Sequence, residues 1–191
     1  GEELSADWHL FHAKPWEIAG EMYDVLPRRS AESGNVRVDS IVRSTRSAEE
    51  VFGKRIGYVD RYDEQHKHYH IFDSDSRHFV AESPKVRPTV GSYVWFSPII
   101  PAQDRFKSAI VLRGENVIDA RQQFGITAAR VTSINKDKGY FLFQTDDERR
   151  GLGDLKLSPR PLSVGDEVRL ILFLKRYNRD GEKRLYVAEM I

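Results

Sequence analysis

The chain has 191 residues, 40% of them hydrophobic, and its 30 Lys and Arg nearly balance 29 Asp and Glu. It contains no cysteine, which excludes disulfides, thiolate zinc sites and a cysteine nucleophile. No apolar run approaches the roughly 20 residues that a membrane-spanning helix needs, so we expect a soluble, cytoplasmic protein, and the start at Gly1 instead of Met suggests a piece of a longer polypeptide.

Residues 1–50 are predicted to form either the last strands of a partial barrel or an N-terminal cap packed on the next domain. Residues 19–26 begin with a small Ala-Gly pair, a polar turn follows, and residues 36–42 alternate, which is the order of elements at the end of the chain. Short alternating strands are weak signals, so both interpretations stay open. The expected apolar anchors of this segment are Trp8, Phe11 and Trp16.

Two short connectors precede the repeated parts of the chain. In residues 44–53, Ser47 and Glu50 have the spacing of a capping box and predict a short helical turn. Residues 114–125 have glycines at both ends and spaced apolar residues between them, which favour a second short helix. Connectors this short are expected to restrain neighbouring domains instead of tethering them loosely.

Residues 54–113 and 126–191 share one order of predicted strands. Each opens with a strand, a polar turn and an aromatic strand, which together predict a β-hairpin. A Val-Gly turn at Val90 or Val164 then leads into two further strands. Self-similarity over roughly seventy residues favours tandem small domains over a solenoid, whose units have about 20 to 50 residues.

The two hairpins carry a resemblance to a known family. The matching residues are Val131, Asn135, Lys138, Gly139 and Tyr140 in the second repeat, and Val59, Tyr62, Lys67 and Tyr69 in the first, with one extra residue expected in the first turn. This spacing resembles the cold-shock domain, whose first two strands read G-x-V-K-W-F-N-x-x-K-G-Y-G-F-I. The resemblance implies an all-β protein of tandem small five-stranded OB-like barrels, with single-stranded RNA or DNA as the partner and RNA preferred.

The resemblance also implies a binding face. Aromatic side chains of the second and third strands would stack on unpaired bases, and nearby Lys and Arg would hold the phosphates. The expected nucleic-acid-binding residues of the first repeat are Arg61, Tyr62, Lys67, Tyr69, Arg77 and Phe79. The second repeat keeps Lys138 and Tyr140 but is expected to have lost most of its stacking surface. For Tyr140, a structural role at a barrel edge is an equal alternative.

Three histidines, His66, His68 and His70, alternate in the first hairpin. Residues two apart share one side of a strand, and three imidazoles could hold zinc or nickel. No carboxylate or cysteine completes a familiar metal motif, and His66 is expected to lie in the turn. Polar edge residues or a mild pH sensitivity are therefore the favoured interpretation, and no metal or cofactor is predicted.

The repeats are mildly basic, with ten Lys and Arg against seven Asp and Glu in residues 54–113 and thirteen against ten in residues 126–191. This excess is far below that of a dedicated duplex-DNA binder. The cations of the last repeat are either solvated or phosphate-binding. Because no nucleophile elbow, phosphate-binding glycine loop or zincin helix is present, catalysis is not predicted.

Two classes of function follow from these observations. The leading hypothesis is non-catalytic binding of single-stranded nucleic acid, with the first repeat making the contacts. The alternative is a protein-interaction or scaffold module of a larger protein, because OB-like barrels also serve protein partners. A third interpretation is an accessory part of a nuclease whose catalytic portion lies elsewhere.

Overall fold

The computed structural model describes residues 22–29, 36–82, 87–99, 107–114, 117–177 and 182–191. In the N-terminal part, strands β1 (Tyr23–Arg29) and β2 (Val36–Arg43) form a two-stranded antiparallel sheet. Whether this sheet belongs to a partial barrel stays a prediction. The anchors expected at Trp8, Phe11 and Trp16 lie outside the described residues.

Two short helices occupy the predicted connectors. Helix α1 (Ala48–Phe52) begins after Ser47, and Ser47 and Glu50 form the reciprocal hydrogen bonds of a capping box, which confirms the predicted helical turn. Helix α2 (Val117–Phe124) fills the second connector. In the part of the chain that the structure describes, neither helix has the length or apolar character needed to cross a bilayer.

Residues 55–114 form a closed five-stranded barrel. Its strands are β3 (Arg55–Asp63), β4 (His68–Asp73), β5 (His78–Glu82), β6 (Tyr93–Ile99) and β7 (Lys107–Gly114). Around the barrel their order is β3-β4-β5-β7-β6, and β5 and β7 pair in parallel while the other neighbours are antiparallel. Closure removes the free strand edges that an open five-stranded sheet would expose.

Residues 127–190 repeat this architecture. The strands are β8 (Thr127–Asn135), β9 (Tyr140–Thr145), β10 (Arg150–Asp154), β11 (Glu167–Tyr177) and β12 (Glu182–Met190), in the order β8-β9-β10-β12-β11. Strands β10 and β12 pair in parallel, at the place equivalent to β5 and β7. The predicted all-β class with OB-like barrels is confirmed, because both barrels have the five-stranded connectivity of that fold.

Each barrel encloses its own apolar core. In the second barrel the rings of Phe141 and Phe143 fill the interior. A Cβ added to Gly151 or Gly153 would lie 2.3 Å and 2.4 Å from these rings, so the G-L-G sequence of β10 is required for the strand to approach them.

A third apolar cluster lies between the barrels. Tyr58, Phe72 and Tyr93 of the first barrel contact Phe173 of β11 and Ala120 of α2. The ring centroid of Phe173 lies 5.1 Å from that of Tyr58 and 5.0 Å from that of Phe72. Because these side chains are nearly fully buried, the two barrels are docked through an apolar interface.

Polar contacts border this interface. Lys175 Nζ lies 2.5 Å from Asp60 Oδ2, and the Leu174 backbone N–H donates to Ser76 Oγ at 2.8 Å. Arg121 of α2 donates to Glu189 of β12 at 2.6 Å. Partners from both barrels and the connecting helix therefore fix the orientation in which the barrels dock.

Candidate nucleic-acid interface

The register of the first hairpin differs from the register expected from the sequence. Both hairpins have turns of four residues, 64–67 and 136–139, and the strands meet at the pairs Asp63 with His68 and Asn135 with Tyr140. The expected extra residue in the first turn is therefore wrong. His68, and not Tyr69, occupies the position equivalent to Tyr140.

The backbone of the turns agrees with this equivalence. Lys67 has a φ of 56° and Gly139 has a φ of 71°, and each is the last residue of its turn. A left-handed residue at this position is natural for Gly and unusual for Lys. Because side chains alternate along a strand, a shift of one residue moves every side chain to the other face of the sheet.

The shift places Tyr69 on the interior side of the first barrel. Tyr69 is half-buried and packs against the interior cluster, as the equivalent Phe141 does in the second barrel. Its cross-strand partner Tyr62 is also half-buried, with ring centroids 4.6 Å apart and ring planes at 43°. These rings therefore pack on each other at one end of the barrel instead of forming an open row on the outer face.

Phe79 does not lie on a binding face, which corrects the expectation from the sequence. Its side chain is 0% exposed, and its ring centroid lies 4.8 Å from that of Phe96. The cause is the pairing of β5 with β4, which sets Phe79 opposite the interior residue Ile71. Phe79 stabilises the core and offers no surface to a base.

The three basic residues predicted in the first repeat have different surroundings. Arg61 is exposed and follows the bulge in β3. Lys67 Nζ lies 3.1 Å from Glu64 Oε2. Arg77 pairs closely with Asp75 and also contacts Asp73. Carboxylates therefore neutralise Lys67 and Arg77 locally, and Arg61 is the predicted cation that stays on the outer face.

Histidines line part of the outer face of the first barrel beside the docked Phe72. His70 Nδ1 lies 2.7 Å from His78 Nε2, and their rings stack with centroids 4.9 Å apart. Burial, followed by the nearby charge of Arg61, lowers the pKa of His70 to about 3 and that of His78 to about 4. His78 was not predicted as a site residue, although it lies on β5 opposite the outer-face residue Phe72.

Asp63 belongs to the same group of polar side chains. Its Oδ1 accepts from the backbone N–H groups of Gln65 and His66, both at 3.0 Å. Hydrogen bonds from His66, first from its backbone and then from its side chain, lower the pKa of Asp63 to about 2. The carboxylate that the histidine pattern lacked in sequence is thus supplied by the strand before the turn, and His66 lies in the turn as expected.

The equivalent face of the second barrel is partly exposed to solvent. We call it the β8–β10 face, and it consists of the outward side chains of the first three strands of that barrel. Three cross-strand rows define it: Arg130, Gln144 and Arg150; Ser133, Leu142 and Leu152; Asn135, Tyr140 and Asp154. The residues between them on β9 and β10 are the interior Phe141, Phe143, Gly151 and Gly153.

Apolar and cationic groups adjoin on the β8–β10 face. Tyr140 and Leu152 are half-buried and Leu142 is exposed to 37%. Lys138 and Arg150 are exposed at the turn and at the start of β10, while Arg130 pairs with Glu167 at 3.0 Å. Of the predicted site residues, Tyr140 lies on this face, Lys138 lies in the turn that precedes β9, and the other six lie on the first barrel.

No protein-family model matches the chain, and no curated protein matches it in sequence. Drosophila Unr CSD456 matches over 87% of this chain and 74% of its own, with 15% identity and a TM-score of 0.31. A multidomain protein with nucleic acid binding domains from Streptococcus pneumoniae TIGR4 matches over 85% of this chain and 59% of its own, with 10% identity and a TM-score of 0.27. Similarity at this level assigns no function to the chain.

Proposed function

We propose that this protein is a non-catalytic module that binds single-stranded nucleic acid, RNA before DNA, through the β8–β10 face. The observation that carries the proposal is the partly exposed outer face of three adjacent barrel strands. On it, Tyr140 and Leu142 lie between the turn that carries Lys138 and the start of β10 at Arg150. This proposal moves the main contact surface from the first repeat to the second.

The arrangement fits the chemistry of unpaired bases. Tyr140 and Leu142 are two residues apart on β9 and share a face, and Leu152 is the cross-strand partner of Leu142. A base that is free of a partner can lie flat on such a surface, and each stacked base is worth about 1–3 kcal/mol. The interaction needs no base-specific hydrogen bond, so we expect weak sequence preference.

Charge completes the proposed surface. Lys138 in the turn and Arg150 on β10 lie at the border of the apolar patch, where they can contact phosphates on either side of a stacked base. Single-strand binding loses about 0.7 units of log K per log unit of salt for each phosphate contact. With two such cations we expect a shallow salt dependence, in keeping with the small excess of basic residues.

The first barrel has a supporting role in this proposal. Its outer face is partly occupied, because Tyr58 and Phe72 are buried beneath Phe173 of the second barrel. Docking of this kind fixes the second barrel, while Leu142 and Arg150 of the β8–β10 face stay exposed to solvent. Of the first repeat, Arg61 stays available as an additional contact for a longer strand.

A protein-docking function is the second candidate. The observation in its favour is that the outer face of the first barrel already packs against the second barrel of the same chain. The exposed Leu142 could serve a partner protein in the same way. This function requires no affinity for nucleic acid.

The test is a fluorescence anisotropy titration of the protein with labelled mixed-sequence single-stranded RNA and DNA at low and moderate salt. Tyr140→Ala should weaken binding about 5-fold to 150-fold, which corresponds to the loss of one stacked base. Tyr140→Phe is the matched control, because it keeps the ring, and it should bind like the wild type.

The cations are tested in the same titration. The double variant Lys138→Ala/Arg150→Ala should reduce the salt slope by about 1.4, the value expected for two single-strand phosphate contacts. Absence of binding at low salt, or equal affinities for Tyr140→Ala and the wild type, contradicts the proposed function, and the former result favours the protein-docking candidate.

A further inference from the structure

The outer face of the first barrel contains a convergent group of possible metal ligands. Asp63 ends β3, and His68 and His70 lie on the paired strand β4. One ligand atom from each of these side chains lies within 4.8 Å of the others. His68 Nε2 lies 3.1 Å from His70 Nε2 and 4.0 Å from Asp63 Oδ2.

We propose that Asp63, His68 and His70 bind a divalent transition-metal ion, with Zn²⁺ as the expected ion. Imidazole nitrogen and carboxylate oxygen are ordinary ligands of zinc, with bonds near 2.0–2.2 Å. Two nitrogens bound to one tetrahedral zinc lie about 3.3 Å apart, which is close to the distance between the two Nε2 atoms. To complete the set, the carboxylate oxygen has to approach His68 Nε2 by roughly 0.7 Å and His70 Nε2 by up to about 1.5 Å.

Hydrogen bonds to neighbouring groups already orient these ligands. When His70 Nδ1 donates to His78 Nε2, at 2.7 Å, the Nε2 of His70 is left without a proton and faces His68. The two backbone N–H groups on Asp63 Oδ1 fix that carboxylate. Its Oδ2 lies 3.1 Å from His66 Nδ1 in the turn and 4.0 Å from His68 Nε2, so a bound ion would replace the contact with His66. Hydrogen bonds to the far side of a metal ligand are a regular feature of zinc sites.

The ion would take the place of the one proton that lies between the two imidazole rings. Without metal, one proton shared between the Nε2 atoms of His68 and His70 accounts for their 3.1 Å separation. With metal, His68 carries its proton on Nδ1 instead, and both Nε2 atoms bind the ion. Three protein ligands leave a fourth position for water, as in open zinc sites.

The position of the site gives the ion a structural role. Asp63 and His68 flank the turn of residues 64–67 and are cross-strand partners, so a bound ion ties the two ends of the hairpin together. Arg61 is the cross-strand partner of His70, and its exposed guanidinium can turn toward solvent. The site lies on the first barrel and is separate from the β8–β10 face, so its test needs no nucleic acid.

The experiment is isothermal titration calorimetry of the untagged chain with ZnCl₂, and with MgCl₂ as a hard-cation control. We expect one Zn²⁺ per chain and no response to Mg²⁺. Asp63→Asn and His68→Ala should each lower the affinity at least about 10-fold, and His78→Phe, which keeps the stacked ring, should lower it by about 10-fold to 100-fold. Melting curves in the presence of a chelator establish that each variant folds.

Two further measurements distinguish metal binding at Asp63, His68 and His70 from metal binding elsewhere in the chain. Co²⁺ in place of zinc should give the visible absorption of a tetrahedral ion in the wild type and not in Asp63→Asn. The double variant His9→Ala/His12→Ala removes the two histidines of the N-terminal segment and should bind as the wild type does. Lack of saturable Zn²⁺ binding, binding unaffected by Asp63→Asn and His68→Ala, or binding lost in His9→Ala/His12→Ala overturns the proposal.

Discussion

The phenol groups of Tyr58 and Tyr93 show at the residue scale how the barrels are joined. Both side chains are buried in the interface. Burial, followed by the nearby carboxylates of Asp60 and Asp154, raises the pKa of Tyr58 to about 12. Burial, followed by the charge of Glu189, raises the pKa of Tyr93 as well. An ionised phenol at either position would be placed against apolar rings, so the interface favours the protonated form.

This burial predicts loss of stability at alkaline pH. The folded pKa of Tyr58 lies above its ordinary value of 10.0, so its contribution is complete below pH 10 and is lost as the pH rises toward 12. We expect the free energy of unfolding to fall in this range, with Tyr58 and Tyr93 ionising only as the interface opens. Tyrosinate absorbance and urea denaturation from pH 9 to 11.5 measure the two effects.

The double variant Tyr58→Phe/Tyr93→Phe provides the control for this prediction. It should lack the two late-titrating phenols and lose less stability between pH 9 and 11.5 than the wild type. An unchanged late absorbance step in the variant would mean that other tyrosines are the buried ones.

At the scale of secondary-structure elements, the two hairpins show which features could be predicted from the sequence and which could not. Alternation and turn residues predicted the hairpins, the Val-Gly turns and the capped helix α1, because these signals are local. The face of Tyr69 could not be predicted in the same way. Lys67 occupies a left-handed turn position where Gly139 stands in the other repeat, and without the glycine the two hairpins align one residue out of register.

The surfaces through which the barrels dock also could not be predicted from local sequence patterns. Tyr58 and Phe72 alternate with interior residues as outer-face aromatics do, and a sequence pattern does not show what covers them. In the structure, Phe173 covers them from a strand about one hundred residues further along. The structure therefore favours a candidate site on the second barrel. Leu142 and Leu152 of that site do not match aromatic positions of the family pattern, so the sequence did not predict them.

The corrected register predicts opposite effects of glycine in the two turns. Lys67→Gly removes the steric cost of a left-handed residue, which stabilises the folded state by about 1–2 kcal/mol. Glycine also raises the conformational entropy of the unfolded chain, which destabilises the protein by about 0.4–1 kcal/mol. We expect an unchanged or higher free energy of unfolding. Lys138→Gly has no such relief, because the φ of Lys138 is not positive, and should lose about 0.4–1 kcal/mol.

Urea denaturation of the two variants checks this prediction. Loss of the exposed Lys67–Glu64 ion pair contributes little, since such pairs are worth about 0–1 kcal/mol. If Lys67→Gly destabilises the protein as much as Lys138→Gly does, the turns are not equivalent in the way that the structure places them.

At the scale of the whole molecule, residues 55–114 and 127–190 form two like barrels with unlike outer faces. The first barrel uses its face for docking and for a histidine cluster, and the second leaves its face open. Because only the second barrel has its outer face exposed in this way, the proposed contacts with nucleic acid need only one of the two repeats. It also makes the interface between the barrels a condition for presenting the β8–β10 face in a fixed orientation.

Phe173→Ala tests the docking. The substitution removes the ring that contacts Tyr58, Phe72 and Tyr186, and truncation of a buried Phe costs about 3–5 kcal/mol. We expect calorimetry to show two separate thermal transitions and increased binding of a hydrophobic dye to the exposed faces.

Val168→Ala is the matched control, because Val168 belongs to the interior of the second barrel and not to the interface. It should lower the stability of that barrel without separating the two transitions or exposing the docking faces. Identical unfolding profiles for the two variants would show that the barrels do not depend on this contact.

Amide chemical-shift mapping by NMR during titration with a short single-stranded RNA measures the central claim most directly, because it locates the contact surface. The account predicts saturable shifts concentrated in residues 138–144 and 150–154, which lie on β9, on β10 and in the turn that precedes β9. Shifts confined to β3–β5 of the first barrel, or none at low salt, would contradict it.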